Sequence, residues 1–146
     1  MKKVKSREII FSLLKIKNLL NKAGKKNIFS EFGLSVANYE VLKVINDEDI
    51  QKLSDLKNFF SDSLPSLTQK TQKLEELGYL KKEIEKDDPR KKRLNITENG
   101  LKALVRVEKK IEIVSSTVFL KYSQEEKENF LKILRDLEFK LNKMVE

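Results

Sequence analysis

Apolar residues recur at helical intervals near the start of the chain. Ile10, Leu13, Leu14 and Leu20 fall on one side of a helix beginning at Ser6, with Lys17 at the same spacing. Gly24 marks its expected stop. A short loop holding Phe29 and Phe32 leads to Leu34, and Ser35 is placed to cap a second helix lined by Tyr39, Leu42 and Ile45. Asn46-Asp47-Glu48-Asp49 ends it. A short third helix is expected from Leu53 to Phe60, burying Leu56 and either Phe59 or Phe60. Ser61-Asp62-Ser63 then reads as a turn with an N-cap, and Pro65 suits the first turn of a fourth helix. Leu67, Thr71, Leu74 and Leu77 form its packed side, and Gly78 closes it in the left-handed conformation.

Beyond Gly78 the period changes. Residues 79–85 read as a strand, 86–89 as a charged turn and 93–96 as the returning strand. Thr97 caps a long fifth helix in which Leu101, Leu104, Glu108, Ile111, Ser115 and Val118 share a face. Ser123-Gln124-Glu125-Glu126 is a capping box. It opens a sixth helix whose Phe130, Leu134, Leu137, Leu141 and Met144 alternate at steps of four and three. Four helices, a hairpin and two more helices predict a mainly α fold with a small β-hairpin wing. That is a winged helix-turn-helix, with its first and last helices left over for dimerisation. The expected division is an N-terminal dimerisation helix and loop (1–34), a winged helix-turn-helix lobe (35–97) and C-terminal dimerisation helices (98–146).

Composition narrows the function more than the fold. The 146 residues include no cysteine and no histidine. Disulfides, thiol redox sensing and the usual ligands for zinc, copper and non-haem iron are therefore excluded. Ser-His, Cys-His and cysteine nucleophile arrangements go with them. Asp87-Asp88 is a carboxylate pair in a turn with no partner base, and no glycine loop for phosphate occurs. An enzyme is not expected, nor any cofactor or metal. No apolar run is long enough to span a membrane and no cleavage site follows the basic start, so a cytoplasmic protein is expected.

The net charge is +8, and its placement is uneven. Residues 1–26 carry nine basic side chains and one acid, 9 − 1 = +8, which leaves 31 − 9 = 22 basic against 23 − 1 = 22 acidic residues elsewhere. Such a distribution suits a polyanionic partner. It equally suits a solvated lysine-rich surface, so charge alone does not decide.

The fourth helix supplies the chemistry. In a helix-turn-helix the second helix lies in the major groove and turns its N-terminal side chains to base edges. Here the candidates are Ser63, Pro65, Ser66, Thr68, Gln69, Lys70 and Lys73. Glutamine can bond adenine with two hydrogen bonds, Ser and Thr can reach phosphate or base, and the lysines suit phosphate. The hairpin carries Lys86, Arg90, Lys91, Lys92 and Arg93 against Asp87 and Asp88. A basic hairpin can place an arginine in a narrow A·T minor groove. Arg90, Lys91 and Lys92 are the candidate contacts. Asp88 is assigned to shaping the wing, by accepting from backbone N–H groups and from an arginine.

These residues resemble the MarR family of transcription regulators. Leu64-Pro65-Ser66-Leu67-Thr68-Gln69-Lys70 through Leu74-Glu75-Glu76-Leu77-Gly78-Tyr79 is similar to that family's recognition helix and its close. Asp88-Pro89-Arg90, followed by Thr97 and Gly100, is similar to its wing signature, and Leu34-Ser35-x-x-Asn38-x-x-Val41-Leu42 to the opening of its second helix. Gln69 stands where many members carry arginine. The branches that sense through cysteine or histidine have no counterpart here.

The resemblance implies a homodimer in which the first, fifth and sixth helices of two chains intertwine. The stripes agree: Ile10, Leu13 and Leu20 at one end, and Phe130, Leu134, Leu137 and Leu141 at the other. It also implies double-stranded DNA as partner and a possible small-molecule effector, unidentified, near Phe29, Phe32 and Tyr39, although aromatics at such spacing are more often core. The expected function is a sequence-specific regulator, a homodimeric repressor on a palindromic operator. The alternatives are a winged-helix adaptor or antirepressor that binds protein, and a nonspecific DNA-binding protein.

Overall fold

The α-helix α1 (Ser6–Gly24) ends at its glycine as expected, but the chain does not turn away there. Gly24 keeps right-handed backbone, φ −61° and ψ −48°, and the chain coils on through a π turn (Lys25–Phe29) and a 3₁₀ turn (Ser30–Phe32). The turn comes at Gly33, at φ 70°. Gly24 also serves packing: a β-carbon there would lie 3.0 Å from the Phe29 ring. A chain-turning glycine and a close-packing glycine look alike in sequence, and Phe29 in the core decides between them. The computed structural model describes residues 1–146 apart from the side chain of Pro89.

Ser35 caps α2 (Val36–Asp47) as expected, accepting the Asn38 N–H at 3.0 Å. The segment read as a third helix is a 3₁₀ turn, Leu53–Asn58. Leu56 is fully buried there, Phe60 is half-buried and Phe59 stays exposed. Six residues with one apolar anchor lack the second turn of contacts that would reward an α-helix. Then α3 (Leu64–Glu76) begins on Ser63, whose hydroxyl accepts the Ser66 N–H, with proline in its first turn. It buries Leu67, Thr71 and Leu74, and Gly78 follows at φ 79°.

The hairpin pairs β1 (Leu80–Glu85) with β2 (Asp88–Ile96) in antiparallel register, Leu80 opposite Ile96 and Ile84 opposite Lys92. The return strand therefore starts five residues before the expected 93, and the turn shrinks to Lys86-Asp87. Basic residues hid the strand because both of its faces are wet near the tip. The Leu94 N–H donates to the Gln51 carbonyl at 2.8 Å, which ties the base of the wing to the segment after α2.

Thr97 opens α4 (Glu98–Val118): its hydroxyl accepts the Gly100 N–H at 3.0 Å and donates to the Gly78 carbonyl at 2.5 Å. The expected face of this helix is corrected. Gly100, Ala103, Leu104 and Val107 are buried, whereas Leu101 is half exposed. Two stripes sharing Leu104 can be drawn on the same sequence. Gly100 against Tyr79 selects between them, because only that face lets the helix backbone come so close. Last, α5 (Gln124–Val145) has the expected capping box, the Glu126 N–H donating to Ser123 Oγ at 3.1 Å and the Ser123 N–H to Glu126 Oε2 at 2.8 Å.

The chain forms two compact units, Met1–Lys110 and Ile111–Glu146. The core of the first gathers Phe29, Phe32, Tyr39, Val41, Leu42, Leu56, Leu67, Leu74, Leu80, Leu94, Leu104 and Val107. Phe29 and Tyr39 stack with ring centres 4.9 Å apart. Tyr79 Oη donates to the Phe32 carbonyl at 2.8 Å, fixing the end of α3 against the turn before α2. Burial raises the pKa of both tyrosines, Tyr39 and Tyr79.

Candidate nucleic-acid interface

Burying one stripe of α3 decides what the opposite stripe shows. Leu67, Thr71 and Leu74 are each fully buried, and the Thr71 hydroxyl satisfies itself on the Thr68 carbonyl at 3.0 Å. The outer face presents Leu64, Pro65, Ser66, Thr68, Gln69 and Gln72 together along one shallow, open surface. Pro65, Thr68, Gln69 and Lys73 are exposed as expected. Thr68 Oγ1 donates back to the Leu64 carbonyl at 2.9 Å, which uses its one donor and leaves its lone pairs to accept.

Ser66 and Lys70 behave differently from expectation. Both are half-buried and both point their polar groups at Asp62. Ser66 Oγ donates to Asp62 Oδ2 at 2.8 Å, and Lys70 Nζ binds the same oxygen. The Lys70 ammonium holds the Asp62 carboxyl below the usual carboxylate range, with Ser66 adding to the effect. Lys70 is thus an intramolecular partner in this structure, not an unoccupied cation. Sequence reasoning missed Asp62, Gln72 and Leu64. Gln72 was within reach of it, lying three residues after Gln69 and so on the same face. Asp62 was hidden because nothing in a Ser-Asp-Ser turn announces a partner eight residues on.

The wing places its cations by an irregularity. Glu85 pairs with Asp88 and Ile84 with Lys92, so residues 89–91 of β2 bulge out of the ladder. The Arg90 N–H donates to Asp88 Oδ1 at 3.0 Å, which gives Asp88 its expected place in shaping the bulge. No arginine pairs with Asp88 among the described residues, so that half of the expectation is not met. Arg90, Lys91 and Lys92 are exposed, and none of them joins an ion pair among the described residues. Among those residues there is also no cluster of acidic side chains able to hold a metal ion, and no helix long and apolar enough to cross a membrane.

No protein-family model matches the sequence, and no curated protein matches it. Solved structures do. A MarR protein from Peptoclostridium difficile superposes with a TM-score of 0.81 over 99% of this chain and 94% of its own, at 20% identity. The fold is that of the MarR regulators. The MarR fold recurs in the S. aureus MepR–DNA complex, TM-score 0.70 at 15% identity, over 90% of this chain and 94% of that one. It recurs again in the PcaV regulator of Streptomyces coelicolor with its natural ligand, TM-score 0.72 at 16% identity, over 94% and 97%.

Within this MarR fold the candidate dimerisation residues are unevenly covered. Ile10, Leu20, Phe130 and Leu141 are exposed, at 46%, 63%, 45% and 55% of their surface, while Leu13, Leu134 and Leu137 are half-buried. No residue of α5 is buried. Phe29, Phe32 and Tyr39 are core residues, as aromatics at such spacing more often are, each at most 7% exposed.

Proposed function

We propose that this chain is a sequence-specific double-stranded DNA-binding regulator of transcription, working as a homodimeric repressor on a palindromic operator. One observation carries the reading: α3 spends its apolar stripe on the core and turns Pro65, Thr68, Gln69 and Gln72 to solvent on one open face. The overall fold is shared with MepR, which is solved in complex with DNA. In this reading α3 enters the major groove, Lys73 meets phosphate, and the wing presents Arg90, Lys91 and Lys92 to the backbone and the adjoining minor groove.

The homodimer rests on the helices outside the lobe. A 22-residue helix with no buried side chain but with Phe130, Leu131, Ile133, Phe139 and Leu141 in its sequence leaves more apolar surface than a soluble single chain keeps. A second copy covering these stripes and those of α1 supplies the missing partner. It also doubles the reading heads, as a palindrome requires. An effector belongs to the proposal only as a class: PcaV is solved with its natural ligand. In this chain Phe29, Phe32 and Tyr39 would have to leave the core to offer a wall.

Selecting duplexes from a random pool with the purified protein at near-physiological salt tests the reading. Enrichment of a palindrome with half-site centres about one helical turn apart is the expected result. A pool that stays random sinks it and moves the function to nonspecific packaging or to a protein partner.

A further inference from the structure

We propose that the outer face of α3 is a reader of A·T base pairs: Gln69 and Gln72 take neighbouring adenines, Leu64 meets a thymine methyl, and Asp62 keeps Lys70 out of base contact. The inference rests on the DNA-binding reading above and deepens it by naming the base chemistry.

The side chains on this face are the ground for it. Guanine is read in the major groove by arginine or lysine on O6 and N7, adenine by asparagine or glutamine on N6 and N7, and thymine by apolar contact with its methyl. From Leu64 to Glu76 the helix contains no arginine. Its two lysines are Lys70 and Lys73, and neither lines this open face. Lys70 is drawn to Asp62, where 24% of its side chain remains exposed, and it shares that carboxylate with Ser66. With the Ser66 hydroxyl turned to Asp62 and the Thr68 hydroxyl to the Leu64 carbonyl, this open face is left with two glutamine amides and an apolar edge, Leu64 (41% exposed) and Pro65.

The spacing fits the target. Gln69 and Gln72 are three residues apart on one face, roughly 4.5 Å along the helix axis. Successive base pairs are about 3.4 Å apart. Two amides so placed can address two neighbouring pairs, and adenine, with one acceptor and one donor, is the base on which each amide uses both its oxygen and its nitrogen. Asp62 has a second effect. Carboxylate beside the reading face repels phosphate, so the ion pair with Lys70 neutralises both groups and keeps that face uncharged.

The test uses the full-length protein and the duplex enriched by selection, with each half-site base pair exchanged in turn between A·T and G·C. Wild type, Gln69→Ala, Gln72→Ala and Asp62→Asn are titrated, after circular dichroism confirms that each variant keeps its helicity. Wild type is expected to lose roughly ten-fold or more in affinity at two adjacent A·T pairs when either is exchanged. Each glutamine variant should flatten that preference at one of the two pairs and leave the other intact. Asp62→Asn should release Lys70 and steepen the fall of log affinity with log salt by about one unit. Specific binding to half-sites with G·C at both positions would overturn this inference alone, as would an unchanged preference in Gln72→Ala or an unchanged salt slope in Asp62→Asn. Binding indifferent to sequence would overturn the inference together with the reading beneath it.

Discussion

Gly100 lies so close to the carbonyl oxygen of Tyr79 that no β-carbon fits between them. The contact joins the start of α4 to Tyr79, the residue between Gly78 and β1, just where the wing begins. Thr97 reinforces it from both sides, with its N–H on the Tyr79 carbonyl at 3.1 Å and its hydroxyl on the Gly78 carbonyl. The path of the chain from the end of α3 into the wing is therefore held by the start of α4.

Gly100→Ala separates two opposing effects. Alanine gains about 1 kcal/mol of helix propensity over glycine. Forcing a methyl against a backbone carbonyl costs about 1–3 kcal/mol, and more where nothing flexible can give way. The neighbour here is main chain, held by Thr97, so the clash should win. A net loss of stability is expected in urea unfolding, and a variant as stable as wild type would show that the contact is not tight.

Truncating the wing should affect DNA unevenly. Arg90 is held out of the ladder by the bulge and by its N–H on Asp88. Arg90→Ala is expected to weaken binding most on duplexes with A·T-rich flanks, where the narrow minor groove attracts guanidinium. Equal weakening on G·C-rich flanks, measured by fluorescence titration, would remove the minor-groove role.

Leu141→Glu probes the dimer. The side chain is 55% exposed in one chain, so a charge there costs a single chain little. Buried between two copies it would be an unpaired carboxylate costing several kcal/mol. Sedimentation should show dimers for wild type and monomers for the variant, with operator affinity falling in step. A variant that still sediments as a dimer would place the interface elsewhere.

Acid should loosen the start of α3. The Asp62 pKa is depressed by Lys70, so the unfolded chain binds the proton more readily than the folded one. The pairing therefore stabilises the fold at pH values above the ordinary carboxylate range, and this contribution disappears as pH falls through the lowered folded value. Thermal melts should show wild type above Asp62→Asn at pH 7, with the gap closing below about pH 4. A gap unchanged between pH 7 and pH 3 would mean that the ion pair contributes nothing.

Much of the lobe was legible because each signal had one physical meaning. Ser35, Ser63 and Ser123 cap helices, and Leu67, Thr71 and Leu74 recur at a spacing only a helix satisfies. The misreadings have other causes. Leu101 was placed by a rule that local sequence obeys and tertiary contact overrides: Tyr79 chose the face of its helix. The early start of β2 was hidden because Asp88, Arg90, Lys91, Lys92 and Arg93 leave no alternation of apolar and polar positions. At the interface, exposure of Gln69 and Lys73 followed from the buried stripe. The capture of Lys70 did not, since an ion pair between a turn and the helix after it leaves no periodic trace.

The sharpest measurement is a salt-titrated competition between the selected duplex and a scrambled duplex of the same composition. A specific site should be preferred by roughly 10³-fold or more at near-physiological salt, with most of that preference surviving as salt rises and both affinities fall. A ratio near one at every salt concentration would contradict a sequence-reading role for α3.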